Sequence, residues 1–334
     1  MRLPHLDPYL RFLLLANLVI VLFAALRSGG TFVGIDNLQS MATQLPELGL
    51  LALAVMLAMI SGGGGIDLSV VATANLAAIT AGLTSRALFS ADEQATAFTL
   101  TFVAVALLVG AACGFLNGLL VSGLRFAPIL ATLGTLQVYT GVAIVLTSGT
   151  AVIGFGDGLT ELGGGTLLGL PYPMWVFLIV AALLAFVLGR TRFGLRLYLM
   201  GTNAKAAHFA GIRTRTIVLA TYTLSGLLAA TSGILFAARA NSAKADYGSS
   251  YLLIAILIAV MGGVNPSGGF GRVLSLVLAA VALQFVSSTM NLLSLSNFLK
   301  DFTWGLLLLL SVVLTNSTFR WWTSRPRKEV NAGT

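Results

Sequence analysis

The chain has 334 residues, of which 57% are apolar and 9% charged, and its formal net charge is +8. Soluble domains carry about 25% charged residues, so this composition excludes an ordinary soluble protein. Several apolar runs approach the ~20 residues that a helix needs to cross a bilayer, and they lack the alternation of a transmembrane β-barrel. We therefore predict an all-α polytopic membrane protein. The excess of basic residues reports topology and lipid headgroups, and nothing in the pattern indicates nucleic-acid binding.

About ten transmembrane spans are predicted along the chain. The first, Tyr9–Leu26, is longer than the core of a signal peptide, so we interpret it as a retained helix. The second, Leu45–Ile60, begins near Pro46, and the third covers Asp67–Leu83. Thr147–Tyr172 is predicted to be a glycine-rich loop. The remaining spans are Phe98–Leu120, Pro128–Leu146, Pro173–Leu188, Ile217–Ala238, Ser249–Met261, Val273–Leu293 and Phe302–Leu314.

The Lys and Arg side chains predict an orientation. With the N-terminus in the cytoplasm, fourteen of the nineteen basic residues fall in cytoplasmic segments. The positive-inside rule then places both termini in the cytoplasm and requires an even number of spans, so eight or twelve would keep the same orientation. We predict a transmembrane domain over residues 1–320 and a basic cytoplasmic tail over residues 321–334, with Trp321 and Trp322 at the membrane interface.

The segment 190–215 cannot lie in lipid. It carries six of the nineteen basic residues and no acidic residue, between two long apolar runs. Within it, Asn203 is a favourable N-cap, Ala204–Ala210 is rich in strong helix formers, and Gly211 suits the C′ position. So short a helix is not stable alone in water, because nucleation costs more than its few hydrogen bonds return. The segment is therefore either an ordered loop at the membrane surface or a docking helix for a cytoplasmic partner.

Two glycine-rich breaks interrupt apolar runs, ISGGGGIDLS at 60–69 and MGGVNPSGGFG at 261–271. Both fall on the predicted cytoplasmic side. Non-helical backbone near a membrane is tolerated where it is buried in protein or faces water, and glycine lets helices approach closely. Tight packing and re-entrant turns therefore account for most of these glycines. The residues of this helix-break motif are Gly64, Gly65, Asp67, Ser69, Gly262, Gly263, Gly268 and Gly269.

Asp67 is the ionisable residue of the first break. A carboxylate near a membrane is costly and usually has a partner or a function. As an N-cap it would accept the unpaired N–H groups of its own helix at the positive end of the dipole. The alternative is a direct role in gating or ion coupling.

Seven short motifs follow one another along the chain: GGIDLS at 64–69, NG at 117–118, ATLGT at 131–135, GRTRFG at 189–194, GTNAKAAHFAGI at 201–212, YTLSGLLAATSGIL at 222–235 and the glycine-rich turn at 262–271. In order and spacing over Leu45–Leu314 they resemble those of a known family, the permease subunits of bacterial ABC importers for monosaccharides of the ribose, xylose, arabinose and galactose type. The doubled glycine before Ile66 and the turn NPSGGFG depart from the usual pattern and leave the particular sugar open.

The resemblance implies the fold of a type II-like ABC importer permease in the bacterial inner membrane. It implies that the chain translocates a monosaccharide, a pentose or a hexose, and that it needs no cofactor of its own. The implied partners are a second permease subunit, identical or different, an ABC ATPase subunit in the cytoplasm, and a periplasmic or extracellular sugar-binding protein. The residues expected to couple the permease to the ATPase are Asn203, Ala206, Ala207, Gly211 and Ile212.

A monosaccharide is neutral and rich in hydroxyl groups, so its path needs hydrogen-bonding groups without fixed charges. Thr132, Thr135 and Tyr139 form such a stripe on the fifth span, and Gln284 and Asn291 belong to a polar face of the ninth. Interhelical hydrogen bonds, worth about 0.6 kcal/mol each, would explain any one of these residues as well. As a set, the fifth-span stripe is the predicted lining of the pathway.

The sequence does not indicate an enzyme. It contains no G-x-x-x-x-G-K-[ST] phosphate loop and no Gly-Lys pair, so ATP hydrolysis is expected on a separate subunit. His5 and His208 stand alone, without metal-ligand spacing. One alternative is a related permease for branched-chain amino acids or nucleosides. The other is an ion-coupled secondary transporter, but such carriers usually keep titratable groups at mid-membrane, and here Glu47 and Asp67 both lie near predicted span ends.

Overall fold

The computed structural model describes the backbone of residues 8–323 and the side chains of residues 8–313; His5 and most of the predicted tail lie outside these ranges. The described chain is almost entirely helical. Its helices are α1 (Pro8–Arg27), α2 (Ile35–Ile60), α3 (Val70–Leu88), α4 (Ala95–Ser122), α5 (Pro128–Thr147), α6 (Gly156–Gly164), α7 (Tyr172–Arg190), α8 (Arg192–Thr202), α9 (Ala204–Phe209), α10 (Thr214–Ala240), α11 (Tyr251–Met261), α12 (Val273–Leu292) and α13 (Asn297–Thr323).

Seven helices of the described chain are long and apolar enough to cross a bilayer by length and composition: α1, α2, α4, α5, α7, α10 and α12. The predicted count of about ten also included α3, α11 and α13, of which α11 has 11 residues. The number of spans and the cytoplasmic placement of both termini therefore stay predictions. The backbone of α13 continues to Thr323, beyond the predicted boundary at 320/321.

α2 forms the centre of the bundle. It starts at Ile35, ten residues before the predicted start, so Pro46 lies inside the helix and not at its beginning. From Leu50 to Ile60 every side chain is buried, against α7, α10, α11 and α12. A helix that is apolar on all sides needs such an interior position. The start of α2 was missed because the stretch 35–45 mixes polar and apolar residues.

α4 and α10 approach each other closely through glycine. Gly110, Gly114 and Gly118 follow one another at four-residue spacing on α4 and face the backbone of α10. A methyl group at Gly114 would collide with the carbonyl oxygen of Tyr222. This is the small-residue packing through which membrane helices gain contact when no hydrophobic force draws them together.

The predicted loop 147–172 is more ordered than we expected. It contains α6 and the strands β1 (Val152–Ile153), β2 (Thr166–Leu167) and β3 (Leu170–Pro171). β1 pairs antiparallel with β4 (Ser242–Ala243), and β2 pairs with β3. Phe155 at the start of α6 is fully buried, and its ring centroid lies 5.2 Å from that of Phe102. The loop prediction was wrong because this aromatic contact is made across the fold and cannot be seen in the local sequence.

We expect Gly114→Ala to lower the free energy of unfolding by about 1–3 kcal/mol, because the added methyl group overpacks the contact with α10. The measurement is thermal unfolding of the purified protein in lipid nanodiscs. Gly141→Ala in α5 is the matched control, because no atom lies within 4 Å of a Cβ added there. Equal stability of the two variants would contradict the packing role of Gly114.

Candidate functional site

α9 is a short helix with a complete cap at each end. The side-chain oxygen of Asn203 accepts a hydrogen bond from the backbone N–H of Ala206 at 2.9 Å. At the other end, Gly211 has a φ of 78°, and the N–H groups of Gly211 and Ile212 donate to carbonyl oxygens of the last turn, both at 3.0 Å. This pair of bonds is the Schellman motif, and it needs the left-handed backbone that glycine adopts without strain. The predicted capped helix is confirmed.

The two sides of α9 have different surroundings. Ala207 is 5% exposed and belongs to the main hydrophobic core, and Ile212 packs partly against that core. Phe209, two positions further along the helix and therefore on its other side, is 89% exposed. The outward-facing residues of the helix are Lys205, Ala206, His208 and Phe209. The sequence interpretation missed Phe209, although an aromatic residue in an alanine-rich helix was a usable signal.

α8 was not predicted as a helix, because the basic residues of the segment obscured its apolar period. Thr191 caps it, accepting from the N–H of Gly194 at 3.4 Å. The Tyr198 hydroxyl donates to the carbonyl of Gly271 at 2.6 Å, and burial raises the pKa of this phenol. α8 is thereby attached to the second glycine-rich break. Its buried face consists of Gly194, Leu197, Met200 and Gly201.

The end of α8 and the two breaks meet in a contact between backbones, which we call the glycine junction (Gly62, Gly201, Gly268 and Gly269). The N–H of Gly269 donates to the carbonyl of Ile60 at 3.0 Å. A side chain at Gly201 would collide with that same carbonyl, and one at Gly268 would collide with Gly62. The two breaks, far apart in the sequence, are therefore one structural unit, and the chain leads from it directly into α9.

The other glycines of the breaks have separate roles. A side chain at Gly65 would collide with the backbone at the end of α2, and one at Gly262 with the backbone of α12. A side chain at Gly263 would meet the ring of Tyr9 in α1. Gly64 has no neighbour within 4 Å, and its φ of 73° is the reason for a glycine at that position.

Asp67 joins the first break to α10. Its Oδ1 atom accepts from the backbone N–H of Ser69 at 3.0 Å and from the Ser69 hydroxyl at 2.7 Å. Its Oδ2 atom accepts from the Ser225 hydroxyl at 2.8 Å. α3 starts at Val70 with Ser69 in the N-cap position, so the prediction that Asp67 begins and caps this helix was wrong in detail. The carboxylate stabilises the turn before α3 and ties that turn to a distant helix.

The hydrogen bonds continue to the stripe on α5. Asn117 of α4 donates to the hydroxyl of Ser69 at 2.7 Å, and Tyr139 donates toward Asn117 Oδ1 at 3.3 Å. Thr132 donates to the carbonyl that precedes Asp67 at 3.0 Å, and Thr135 donates to the carbonyl of Thr132 at 3.3 Å. All these side chains are buried. In this conformation the α5 stripe therefore contacts protein, and we call the set Asp67, Ser69, Asn117, Thr132, Tyr139 and Ser225 the buried polar network.

Gln284 and Asn291 lie elsewhere. Both belong to α12, and Asn291 accepts from the ammonium of Lys300 at 2.6 Å. Gln284 is 5% exposed and faces a cavity between α2, α11, α12 and α13. The structure thus brings together the predicted pathway residues of α5, and separates them from those of α12.

Glu47 is buried and paired in the middle of α2, so the prediction that it lies near the end of a span was wrong, because α2 starts at Ile35. Its carboxylate receives two hydrogen bonds from the guanidinium of Arg239, at 2.6 and 2.9 Å. The same guanidinium lies over the ring of Phe236, with 5.2 Å between its carbon and the ring centroid. The bidentate geometry offsets part of the cost of removing the two charges from water.

Comparison with known proteins identifies a family whose sequence pattern this chain matches. Residues 37–312 match the family model described as branched-chain amino acid transport system / permease component. No solved structure gives a significant match to the chain.

Relatives match over most of the chain. The ribose import permease protein of Escherichia coli (strain K12) is 33% identical over 310 residues, or 91% of this chain and 92% of its own. The ribose import permease protein of Bacillus subtilis (strain 168) is 32% identical over 311 residues, or 92% of each. An autoinducer 2 import system permease protein of Photorhabdus temperata is 32% identical over 293 residues, or 84% and 85%.

We expect Asp67→Leu to destabilise the fold strongly and Asp67→Asn to be mild. Leucine leaves the Ser69 N–H and two hydroxyl groups without an acceptor in a buried place, at about 1–3 kcal/mol for each unsatisfied group. Asparagine keeps one acceptor oxygen and can donate to Ser225. The measurement is thermal unfolding in nanodiscs. Asp92, an exposed carboxylate, provides the matched controls Asp92→Leu and Asp92→Asn. A fully stable Asp67→Leu protein would contradict the structural role of this carboxylate.

Proposed function

Because the chain belongs to the family of branched-chain amino acid transport system permease components, we propose that it is the transmembrane subunit of an ATP-driven importer whose cargo is a monosaccharide, a pentose or a hexose. The resemblance to monosaccharide importer permeases stated from the motifs is confirmed by relatives that match over most of both chains. The protein is a multi-pass permease of the bacterial inner membrane. Cargo, energy source and partners belong to the proposal.

The observation that carries the proposal is α9. It is capped at both ends, seated on the core through Ala207, and presents Phe209 and its neighbours outward. A short helix that is capped at both ends is well suited to be a rigid projection that transmits force. We propose that an ATPase subunit binds this outward face, with Asn203, Gly211 and Ile212 holding the helix in shape and Ala206 in the contact.

The glycine junction extends the proposal into the membrane. Movement of α9 acts on the end of α8 at Gly201, which is in backbone contact with both breaks. The breaks end α2 and α11 and precede α3 and α12. Where two backbones touch without intervening side chains, a displacement of one moves the other, because no change of side-chain rotamer can absorb the displacement. ATP hydrolysis on the partner would in this way reorient the helices that surround the pathway.

The α5 stripe enters this proposal as part of the pathway in another conformation. Thr132, Thr135 and Tyr139 are bonded to protein in the present structure. Separation of α5 from α3 and α4 would free these hydroxyl groups for those of a sugar. Uncharged donors and acceptors suit a cargo that must be released again.

The outer surface indicates what covers the permease. α1, α4, α5 and α7 carry many exposed large apolar side chains along their length. Such faces are satisfied by lipid and by a second permease subunit, identical or different. A soluble sugar-binding protein would deliver the cargo on the side opposite to α9.

Two alternatives weigh less. The family's description names branched-chain amino acids, and a nucleoside would also need an uncharged path, whereas the similar relatives are named for ribose and autoinducer 2. An ion-coupled secondary transporter would need a titratable carboxylate available to its ion. Glu47 is held by Arg239, and Asp67 accepts three hydrogen bonds.

The energy source can be tested by reconstitution. The protein alone in liposomes should accumulate none of D-ribose, D-xylose or D-galactose under a proton or sodium gradient. With its ATPase and binding protein, one of these sugars should accumulate in a manner that depends on ATP hydrolysis and persists when ion gradients are collapsed. Gradient-driven uptake by the isolated chain would favour the secondary transporter. ATP-driven uptake of leucine instead of a sugar would favour the amino-acid alternative.

The coupling surface can be tested with Phe209→Ala and Gly211→Pro. Proline removes the N–H of the Schellman motif and cannot adopt a positive φ, so it destroys the cap. We expect each variant to lose at least about tenfold in ATP-driven uptake and in co-purified ATPase, because about 1.4 kcal/mol of binding energy corresponds to a factor of ten. Phe186→Ala is the control, since this phenylalanine is 60% exposed on α7 within a membrane span. Unchanged co-purification with both variants would place the docking surface elsewhere.

A further inference from the structure

A cavity of ≈ 450 Å³ lies between α2, α11, α12 and the start of α13. Its lining residues lie in the middle of α2 and α12, along α11 from its first turn, and at the start of α13, whereas the glycine junction follows the ends of α2 and α11. Its volume is in the range of small-molecule sites and leaves room for a monosaccharide together with a few waters. The walls that decide its chemistry are Gln44, Tyr251, Gln284, Ser287, Lys300 and Trp304.

Two polar side chains of the wall make no hydrogen bond within the described part of the chain, the amide of Gln284 and the indole N–H of Trp304. Each residue is 5% exposed as a whole, but neither is among the residues whose polar atoms are fully shielded and unpaired. Both polar groups are therefore open to the cavity, where water or a ligand can bond them. A ligand with hydroxyl-like donors and acceptors would satisfy both.

The rest of the wall favours a neutral occupant. Its charged residues are Lys300 and Asp301, one of each sign. The ammonium of Lys300 is already held by amide oxygens, at 2.6 Å from Asn291 and 3.2 Å from Asn297. Aromatic rings of Tyr251 and Trp304 alternate with aliphatic side chains around these polar groups. Such a wall suits a ring-shaped ligand, because the aromatic faces can pack on an apolar C–H face of the ring while the amide and hydroxyl groups bond the polar groups at its edge.

From these observations we propose that the cavity binds one monosaccharide in its neutral ring form, with the Gln284 amide and the Trp304 indole N–H bonded to sugar hydroxyl groups. The proposal rests on the proposed function, because it takes the cargo of the importer as the occupant. The proposed site lies within a single permease subunit. In this proposal Gln284 has a different function from the α5 stripe, whose Thr132 and Tyr139 belong to the buried polar network.

The site is connected to the coupling surface through two helices. α2 lines the cavity with residues of its middle turns and α11 with residues from its first turn onward, and both helices end in the glycine-rich breaks. Beside the cavity, the Glu47–Arg239 pair fixes α2 to α10, and Tyr251 interacts with the same arginine. An occupant pressing on α2 and α11 therefore acts on the elements that contact α8 and α9 at the ends of these two helices.

The test uses the complete importer, with ATPase and binding protein, and D-ribose, D-xylose and D-galactose as probes. Gln284→Leu removes the amide at similar volume, and Trp304→Phe removes the indole N–H but keeps an aromatic ring. We expect each variant to raise the KM for uptake about fivefold, as the loss of about 1 kcal/mol of hydrogen bonding implies. Thr289→Val is the matched control, because this hydroxyl bonds within α12 at 2.7 Å and does not line the cavity.

A second measurement does not depend on transport. In a Cys113→Ala background, Gln284→Cys should react with a small cationic methanethiosulfonate, and the transported sugar should slow this reaction about fivefold or more. Leu293→Cys, 39% exposed at the end of α12, should react at the same rate with and without sugar.

The outcomes separate the two proposals. Wild-type uptake of a sugar, with KM unchanged in both variants and no protection of Gln284→Cys, overturns the cavity site and leaves the importer function in place. Protection by added phospholipid but not by sugar assigns the cavity to a lipid chain and also overturns it. Absence of ATP-driven uptake of any of the three sugars by the wild-type importer overturns the proposed function, and the sugar site with it.

Discussion

The close contact of backbones at Gly62, Gly201 and Gly268 is the constraint on which the arrangement of α8, α9 and the two glycine-rich breaks depends. The two breaks and the end of α8 share a space that admits no side chain, and a hydrogen bond from Gly269 to Ile60 fixes their register. Near a membrane, such irregular backbone persists where neighbouring protein satisfies its polar groups. The junction meets this condition by pairing one break with the other. In the same place it gives α9 a rigid base.

The buried carboxylates inside the bundle are likewise satisfied by partners within the protein. The Asp67 carboxylate is satisfied by a backbone N–H and two hydroxyl groups, and Glu47 by the guanidinium of Arg239. Each group therefore fastens helices that are distant in sequence: Asp67 joins the first break to α10, and Glu47 joins α2 to α10. In a low-dielectric interior these contacts are directional, whereas apolar packing alone would let helices slide. Both contacts converge on α10, which also packs closely against α4.

The arrangement distinguishes a central body of long helices from α8 and α9, which pack on it. α2, α4 and α10 are held by glycine packing, the ion pair and the buried polar network. α8 and α9 are seated on this body through Leu197, Met200 and Ala207 in the main core, through the Tyr198 hydroxyl and through the glycine junction. The cavity is lined by α2 and α11, the helices that end in the two breaks, so cargo and partner would act on one continuous set of elements.

The sequence by itself determined the membrane class, the positions of most helices and the capped helix α9. Hydrophobic length and capping are local properties, so the runs at Pro128–Thr147 and Val273–Leu292 and the caps at Asn203 and Gly211 could be read from neighbouring residues. Motif order also determined the family. Tertiary structure alone decided that the two breaks meet, that Asp67 bonds Ser225, that the α5 stripe is buried while Gln284 faces a cavity, and that Phe155 orders a predicted loop. These contacts join residues far apart in the chain. The sequence around a hydroxyl group or a glycine is the same whether that residue faces a sugar, lipid or another backbone, so the neighbouring residues could not reveal the contact.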